Sequence, residues 1–332
     1  MNLEPSSAIV AVIDRCDAKC IMCNIWKEHK RDEVRLSYFG TLPQSLRIIN
    51  ITGGEPFMRE DLPEVIRVIN ERCHHPRMII STNGFNTKKI REKMTEIARI
   101  SGRIGVRVSV DGYEKTHDEV RRIPGGFQKC MNTIEALKQI GIKDLGLSFT
   151  ISPINLGDVA KVYYLTRRLK IQFTLTIAQN SEFYFKTDAN TFDLDPDQLR
   201  QQFNEFIASE LKAIHPKRWF RAYYDKGVYE YGLGKRVLKN CSAGSDFFFS
   251  SAKGEIYPCP VLNQKMGDAK NNSFKPVWTS DKANEIRKIS KDCPVKCWMT
   301  CTVKPHFKQN IVAITWWVVR NKIKAHLSQP IL

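Results

Sequence analysis

Residues 7–23 read SAIVAVIDRCDAKCIMC, and this stretch decides how the rest of the chain is understood. Its first half, 7–13, is an apolar, partly β-branched run of strand length, and its second half is a polar loop carrying Cys16, Cys20 and Cys23. In parallel β/α architectures the functional loops gather at the carboxyl ends of the strands, which is where this loop begins. Three thiolates at C-x3-C-x2-C spacing can hold three irons of a four-iron cluster, leaving the fourth iron to bind something else. A zinc knot is the competing reading. It needs a fourth ligand, and His29 is the candidate nearby.

Working outward, the same strand-then-turn unit recurs. Residues 46–51 (LRIINI) run into Thr52-Gly53-Gly54, and 77–81 (RMIIS) into Thr82-Asn83-Gly84. Residues 104–110 (IGVRVSV) run into Asp111-Gly112, 145–151 (LGLSFTI) into Ser152-Pro153, and 171–177 (IQFTLTI) into a polar loop. Between them, 61–72, 87–99 and 127–140 place apolar residues three and four apart, the helical period. Six strands alternating with helices predict an α/β fold, a partial (β/α)6 TIM-like barrel over 1–190. Residues 194–216 read as a helix opening at LDPDQL, and the aromatic, basic stretch after it as a bridge, so 191–234 is taken as a linker. Beyond Gly234 the barrel rhythm stops, and 235–310 is read as a small cysteine-rich domain followed by a basic, aromatic tail, 311–332.

The chain has 332 residues, ten cysteines and a formal net charge of +17. No secretory-type N-terminus and no apolar run of about 18 residues is present, which points to a cytoplasmic location and makes the cysteines candidates for metal or redox chemistry rather than disulfides. Cys73 and Cys130 stand alone and read as small buried residues. Cys241, Cys259, Cys293, Cys297 and Cys301 form a second group. The positive charge suits an anionic partner, but no nucleic-acid-binding motif accompanies it, so nucleic acid is not expected. From Arg287 onward nine Lys/Arg face the single acid Asp292, and Trp316 and Trp317 lie just before Arg320, Lys322 and Lys324. That composition allows two readings of the tail: a terminal element packed on the barrel, or peripheral contact with an acidic membrane surface.

Together, Cys16, Cys20 and Cys23, Gly53-Gly54-Glu55-Pro56 thirty positions after Cys23, Thr82-Asn83-Gly84 and Ser109-Val110-Asp111-Gly112 with His117, Asp118 and Arg121 resemble the radical S-adenosylmethionine (SAM) superfamily over residues 8–180. The resemblance implies a [4Fe-4S] cluster on the three cysteines with SAM chelating the open iron. One electron then splits the sulfonium bond into methionine and a 5′-deoxyadenosyl radical that abstracts a substrate hydrogen. It further implies that the Gly53 and Gly54 backbone and Glu55 lie at the methionine end of SAM, and that Asn83 and its neighbours lie near the adenosine. Ser109 is implied at the ribose, Arg121 near the SAM carboxylate, and the Met22 backbone at the adenine. Met22 stands where an aromatic residue is commoner, a replacement its flexible side chain should allow. Asp111 reads more simply as a turn-former at a strand end.

The second group, Cys241-x12-Gly254-x4-Cys259 with Cys293-x3-Cys297-x3-Cys301, resembles the SPASM and Twitch auxiliary-cluster domains. Five cysteines, where a full SPASM domain has seven, imply one auxiliary [4Fe-4S] cluster with one thiol spare, and the spacing leaves open which of Cys293, Cys297 and Cys301 that is. Structural zinc is the alternative. The expected function is a radical SAM oxidoreductase on a small or carrier-linked, anionic substrate, reduced by a donor such as flavodoxin or ferredoxin, with an electron passing to the auxiliary cluster. A peptide maturase is the rival; Cys16 lies early for the extra N-terminal recognition domain many of them carry. Sulfatase maturation is disfavoured because Pro260, not an aspartate, follows Cys259. A non-catalytic zinc or nucleic-acid-binding protein is the third reading, and it leaves Gly53-Gly54-Glu55-Pro56 unexplained. Tyr113, Tyr184 and Glu182 are unranked candidates for acid–base work.

Overall fold

A computed structural model describes residues 4–29, 32–235, 238, 241–271, 273–295 and 297–332. Six parallel strands form in sequence order: β1 (Ser7–Ala11), β2 (Ile48–Thr52), β3 (Arg77–Thr82), β4 (Ile104–Ser109), β5 (Asp144–Ile151) and β6 (Gln172–Ile177). Period-two alternation explains the layering. Outward residues such as Ile49, Ile51, Ile80, Val106, Val108, Leu147 and Phe149 are fully buried under the helices. Those helices bury apolar residues at matching intervals, Ile90, Met94 and Ile97 on Thr87–Ile100 and Leu62, Val65, Ile66 and Ile69 on Leu62–Arg72.

The inward positions are different in kind. Asn50 and Thr52, Ser81, Arg107 and Ser109, Ser148 and Thr150, and Gln172, Thr174 and Thr176 all face a cavity of ≈580 Å³. The interior of a closed TIM barrel is filled by branched apolar side chains. Here the lumen is open, and these polar side chains share it with apolar ones such as Ile9, Ile79 and Leu175.

Three features go beyond the sequence-based expectation. The cysteine-rich segment is not a separate sheet: β7 (Phe247–Ser250) pairs in parallel with β1, and β8 (Glu255–Tyr257) and β9 (Gly267–Asp268) follow antiparallel, giving one nine-stranded sheet in the order β6-β5-β4-β3-β2-β1-β7-β8-β9. The segment read as a bridge is a second helix, Pro216–Gly232, packed on its predecessor Pro196–Lys212 and on β6. Trp298, between two cysteines, is fully buried with its indole N–H donating to the Tyr224 carbonyl at 2.8 Å. A Cβ on Gly227 would stand 2.1 Å from that indole, so only glycine admits the ring. The second cysteine group is thereby keyed to the barrel. Thirdly, the tail forms a helix, Ile311–His326, packed on these two helices and not on the strands.

Candidate active site

The loop after β1 lies against the loop after β2. Gly54 N–H donates to the Ile13 carbonyl at 2.8 Å and Glu55 N–H to the Arg15 carbonyl at 2.9 Å. A Cβ on Gly53 would meet the Ile13 oxygen at 2.2 Å, and one on Gly54 the Arg15 oxygen at 2.1 Å and the Cys16 Cβ at 2.9 Å. Gly53 also holds φ +148°, a conformation other residues avoid. The glycine pair is thus required for contact with the cysteine loop, whatever else it meets.

Glu55 is buried with its carboxylate turned away from the lumen. It accepts from Phe57 N (3.1 Å), Thr82 Oγ1 (2.9 Å) and Asn83 N (2.7 Å), tying the β2 loop to the β3 loop. Burial pushes its carboxyl up to about 7, against the three donors that hold it down. Asn83 Nδ2 in turn donates to Asp17 at 2.6 Å and approaches the Cys16 sulfur at 4.0 Å.

On the far side, Arg121 Nη1 reaches the Cys20 sulfur at 3.4 Å while its guanidinium pairs with fully buried Asp111. The turn-former reading of Asp111 is therefore incomplete, since the carboxylate also accepts from Thr150 N at 2.7 Å and anchors Arg121. His117 accepts from Asp111 N at 3.1 Å, and burial lowers it to about 3, so it packs as a neutral ring. Cys130 is a buried thiol donating to the Asn83 carbonyl at 3.2 Å, and Cys73 is likewise buried.

The lumen wall includes Cys16, Cys20, Met22, Cys23, Gly53, Gly54, Asn83, Ser109 and Arg121, so every residue expected at SAM except Glu55 faces one space. His29 is exposed and is not part of this wall. Of the acid–base candidates only Tyr184 faces the lumen, and its hydroxyl is committed to Thr52 Oγ1 (2.9 Å) and the Gly53 carbonyl (3.2 Å). Tyr113 packs on Phe127, and Glu182 accepts from Asn263. Among the described residues lining the lumen there is no carboxylate and no imidazole, while Arg77, Arg107, Arg121 and Lys304 are present. Sequence reasoning missed this polar, cationic lining; the inward positions of the six strands carried the signal.

The five C-terminal cysteines gather at the other end. Cys241, Cys259, Cys293 and Cys297 line a small void of ≈20 Å³, and Cys301, which packs in one cluster with Cys241 and Cys259, lies with Pro260 and Met299 on the lumen wall. Burial pushes the Cys23 thiol up to about 11 and Cys259 to about 12, and raises Cys16, Cys297 and Cys301 as well. Such sulfurs become thiolates only against a bound cation, which is what an iron cluster provides. Among the described residues no three His, Cys, Asp or Glu side chains close round a single metal ion.

Residues 10–163 match the radical SAM superfamily, and residues 241–302 match the iron–sulfur cluster-binding SPASM domain. The chain belongs to the radical SAM superfamily. It is a radical SAM enzyme with a [4Fe-4S] cluster, SAM and an iron–sulfur auxiliary domain, and the reading as a non-catalytic protein falls away. The AdoMet-dependent heme synthase of Methanosarcina barkeri is 26% identical over 260 residues, 73% of this chain and 70% of that one. The sporulation killing factor maturation protein SkfB of Bacillus subtilis is 22% identical over 307 residues, 88% of this chain and 69% of that one. In fold the chain is similar to native anSMEcpe with bound AdoMet and Cp18Cys peptide, at TM-score 0.63 and 17% identity over 96% of this chain and 99% of that one. Radical SAM enzymes draw on an electron donor. Among the described residues no helix is long and apolar enough to cross a membrane.

Proposed function

We propose that this radical SAM enzyme is an oxidoreductase that acts on a small or carrier-linked, polar and anionic substrate held in the barrel lumen. The observation that supports it most is a single space walled at one end by Cys16, Cys20 and Cys23 and at the other by Pro260, Met299 and Cys301. The three N-terminal cysteines would ligate the SAM cluster. Met22, Gly53, Gly54, Asn83, Ser109 and Arg121 would surround SAM, with Glu55 acting from behind by fixing Asn83. When bound, the cluster and SAM supply one-electron cleavage of the sulfonium bond and a hydrogen-abstracting 5′-deoxyadenosyl radical.

The chain's own residues set the rest. The serine, threonine, asparagine and glutamine lining can hydrogen-bond a polar substrate. Arg77 and Arg107 share the single carboxylate of Asp144, and Lys304 adds a further positive charge, so the lumen favours an anion. Cys241, Cys259, Cys293 and Cys297 would hold one auxiliary cluster that accepts the substrate's second electron, leaving Cys301 as the spare thiol on the lumen side. A reductant of the flavodoxin or ferredoxin class would supply the first electron. Pro260 on the lumen wall leaves no aspartate after Cys259, which argues against the sulfatase-maturing reaction.

A peptide substrate is the second reading, favoured by the likeness to SkfB along 88% of the chain. Anaerobic reconstitution followed by dithionite reduction tests the proposal. About eight irons per chain, formation of 5′-deoxyadenosine, and its stimulation by anionic small molecules such as sugar phosphates or nucleotides are expected. Turnover stimulated by a short peptide alone would favour the second reading, and no 5′-deoxyadenosine at all would end the first.

A further inference from the structure

The helix Ile311–His326 is apolar on two opposite faces, and the fold covers one of them. Ile314, Val318, Asn321 and Ala325 are buried against Pro196–Lys212 and Pro216–Gly232. Trp317 packs edge-on to Tyr223, with ring centroids 5.3 Å apart. Lys322 donates to the Leu211 and Ala213 carbonyls at 2.7 and 3.1 Å, closing the end of the helix Pro196–Lys212. The orientation of the helix is therefore fixed.

The other face is left to solvent. Val312 is 81% exposed, Trp316 71%, Val319 48%, Ile323 58% and Leu327 63%. Steps of four, three, four and four residues put these side chains in one stripe along a helix of 3.6 residues per turn. Ile214, 87% exposed, follows Ala213 and so adjoins the Lys322 end of the stripe. Single exposed apolar residues are ordinary, but a continuous strip of this kind marks a surface that is covered in use.

We propose that this face seats on an anionic lipid bilayer, with the helix lying in the plane of the interface. Three observations select that occupant. The stripe is flanked by Arg320, Lys324 and His326, the helix carries no acidic residue, and Lys212 and Lys217 flank Ile214, so the surroundings complement a negative surface. An exposed tryptophan among leucine, isoleucine and valine, bordered by cations, is the composition of an interfacial helix. At sixteen residues the helix is about 24 Å long, which suits lying on a bilayer and not crossing it. A second copy is a poor occupant, because two-fold pairing of the same face would set Arg320 and Lys324 of each copy against those of the other. The inference stands independently of the reading of the lumen.

Cosedimentation of the full-length, cluster-loaded protein with extruded vesicles tests it. Vesicles of equal phosphatidylglycerol and phosphatidylcholine are expected to capture the protein at least about tenfold better than phosphatidylcholine alone, with the preference lost at about 0.5 M salt. Trp316→Ser with Ile323→Ser, and separately Arg320→Glu with Lys324→Glu, should each reduce capture by about tenfold or more while thermal melting and SAM cleavage match the parent protein. Three results would each overturn the proposal. They are equal capture by neutral vesicles, undiminished capture of both variants, and sedimentation showing a dimer that the double serine variant dissolves.

Discussion

Replacing Gly54 by alanine separates two accounts of the glycine pair. If the glycines serve only to let SAM approach, an added methyl should weaken SAM binding and leave the cluster-free protein untouched. The structure predicts otherwise. A Cβ at Gly54 would lie 2.1 Å from the Arg15 oxygen, where ordinary contact begins near 3.4 Å, so the two chains must part by about 1.3 Å, the difference of those values. The obstacle is backbone and cannot rotate aside. Such a shift would stretch the Glu55 N–H bond to Arg15 from 2.9 Å beyond hydrogen-bond range and strain the Gly54 bond to Ile13 at 2.8 Å. Two backbone hydrogen bonds at roughly 0.5–1.5 kcal/mol each, with their buried partners left unpaired, come to about 2–4 kcal/mol. Cys16 moves with Arg15, so the N-terminal thiols should also lose their common arrangement. The assays are urea denaturation of the cluster-free protein and iron content after anaerobic reconstitution. The variant should unfold at lower urea and hold about four irons per chain, those of the auxiliary site, against about eight in the parent. A variant with parental stability and full iron, impaired only in its KM for SAM, would refute the reasoning.

Further outcomes follow from the same geometry. Asp111→Asn leaves the Arg121 guanidinium buried without its counter-charge and should cost about 3–5 kcal/mol by urea denaturation, much of it recovered when Arg121→Met is added. Glu55 is raised from its ordinary 4.5 to about 7, so the folded protein holds an extra proton between those values. Its stability should therefore rise by up to about 3 kcal/mol as pH falls from above 7 to below 4.5, a component that Glu55→Gln should lack in melts across that range. Cys301→Ser should keep about eight irons per chain whereas Cys297→Ser drops to about four; the reverse result would make Cys301 a ligand. Gly227→Ala collides with the Trp298 indole and should lose auxiliary iron selectively, despite the better helix propensity of alanine.

The barrel was legible because each of its strands carries its own local pattern. The run at 104–110 became Ile104–Ser109, and that at 171–177 became Gln172–Ile177. Where the first strand was overextended, the reason is tertiary: Val12 N–H still donates to the Thr52 carbonyl of β2, but the next carbonyl, that of Ile13, is taken by the loop residue Gly54. The strand Phe247–Ser250 gave no such signal. All four of its residues are buried, so no alternation marks it, and its partner β1 lies 240 positions away, from Ser7 to Phe247. The helix Pro216–Gly232 was read as a bridge from its aromatic, basic composition; its Gly227, a weak point for local helix propensity, makes room for an indole some seventy positions later.

The candidate site shows the same division between what a motif can carry and what it cannot. The resemblance to the radical SAM superfamily grouped Cys16, Cys20 and Cys23 with Gly53, Gly54, Asn83, Ser109 and Arg121, and the structure brings them to one space because each lies at the carboxyl end of a strand or in the segment that follows it. What spacing could not assign is direction. Glu55 belongs to the same four-residue motif as the glycines, yet its carboxylate points behind the wall and holds Asn83 N–H, while Asp111 holds Arg121 in the same indirect way. A motif residue can face the ligand or fix the residue that does, and both uses leave the same letter in the sequence. The distinction has a chemical consequence here. Both carboxylates are spent on positioning, and the described residues of the lumen wall include Arg77, Arg107 and Lys304 but no other carboxylate or imidazole, a lining that complements the anionic substrate proposed above.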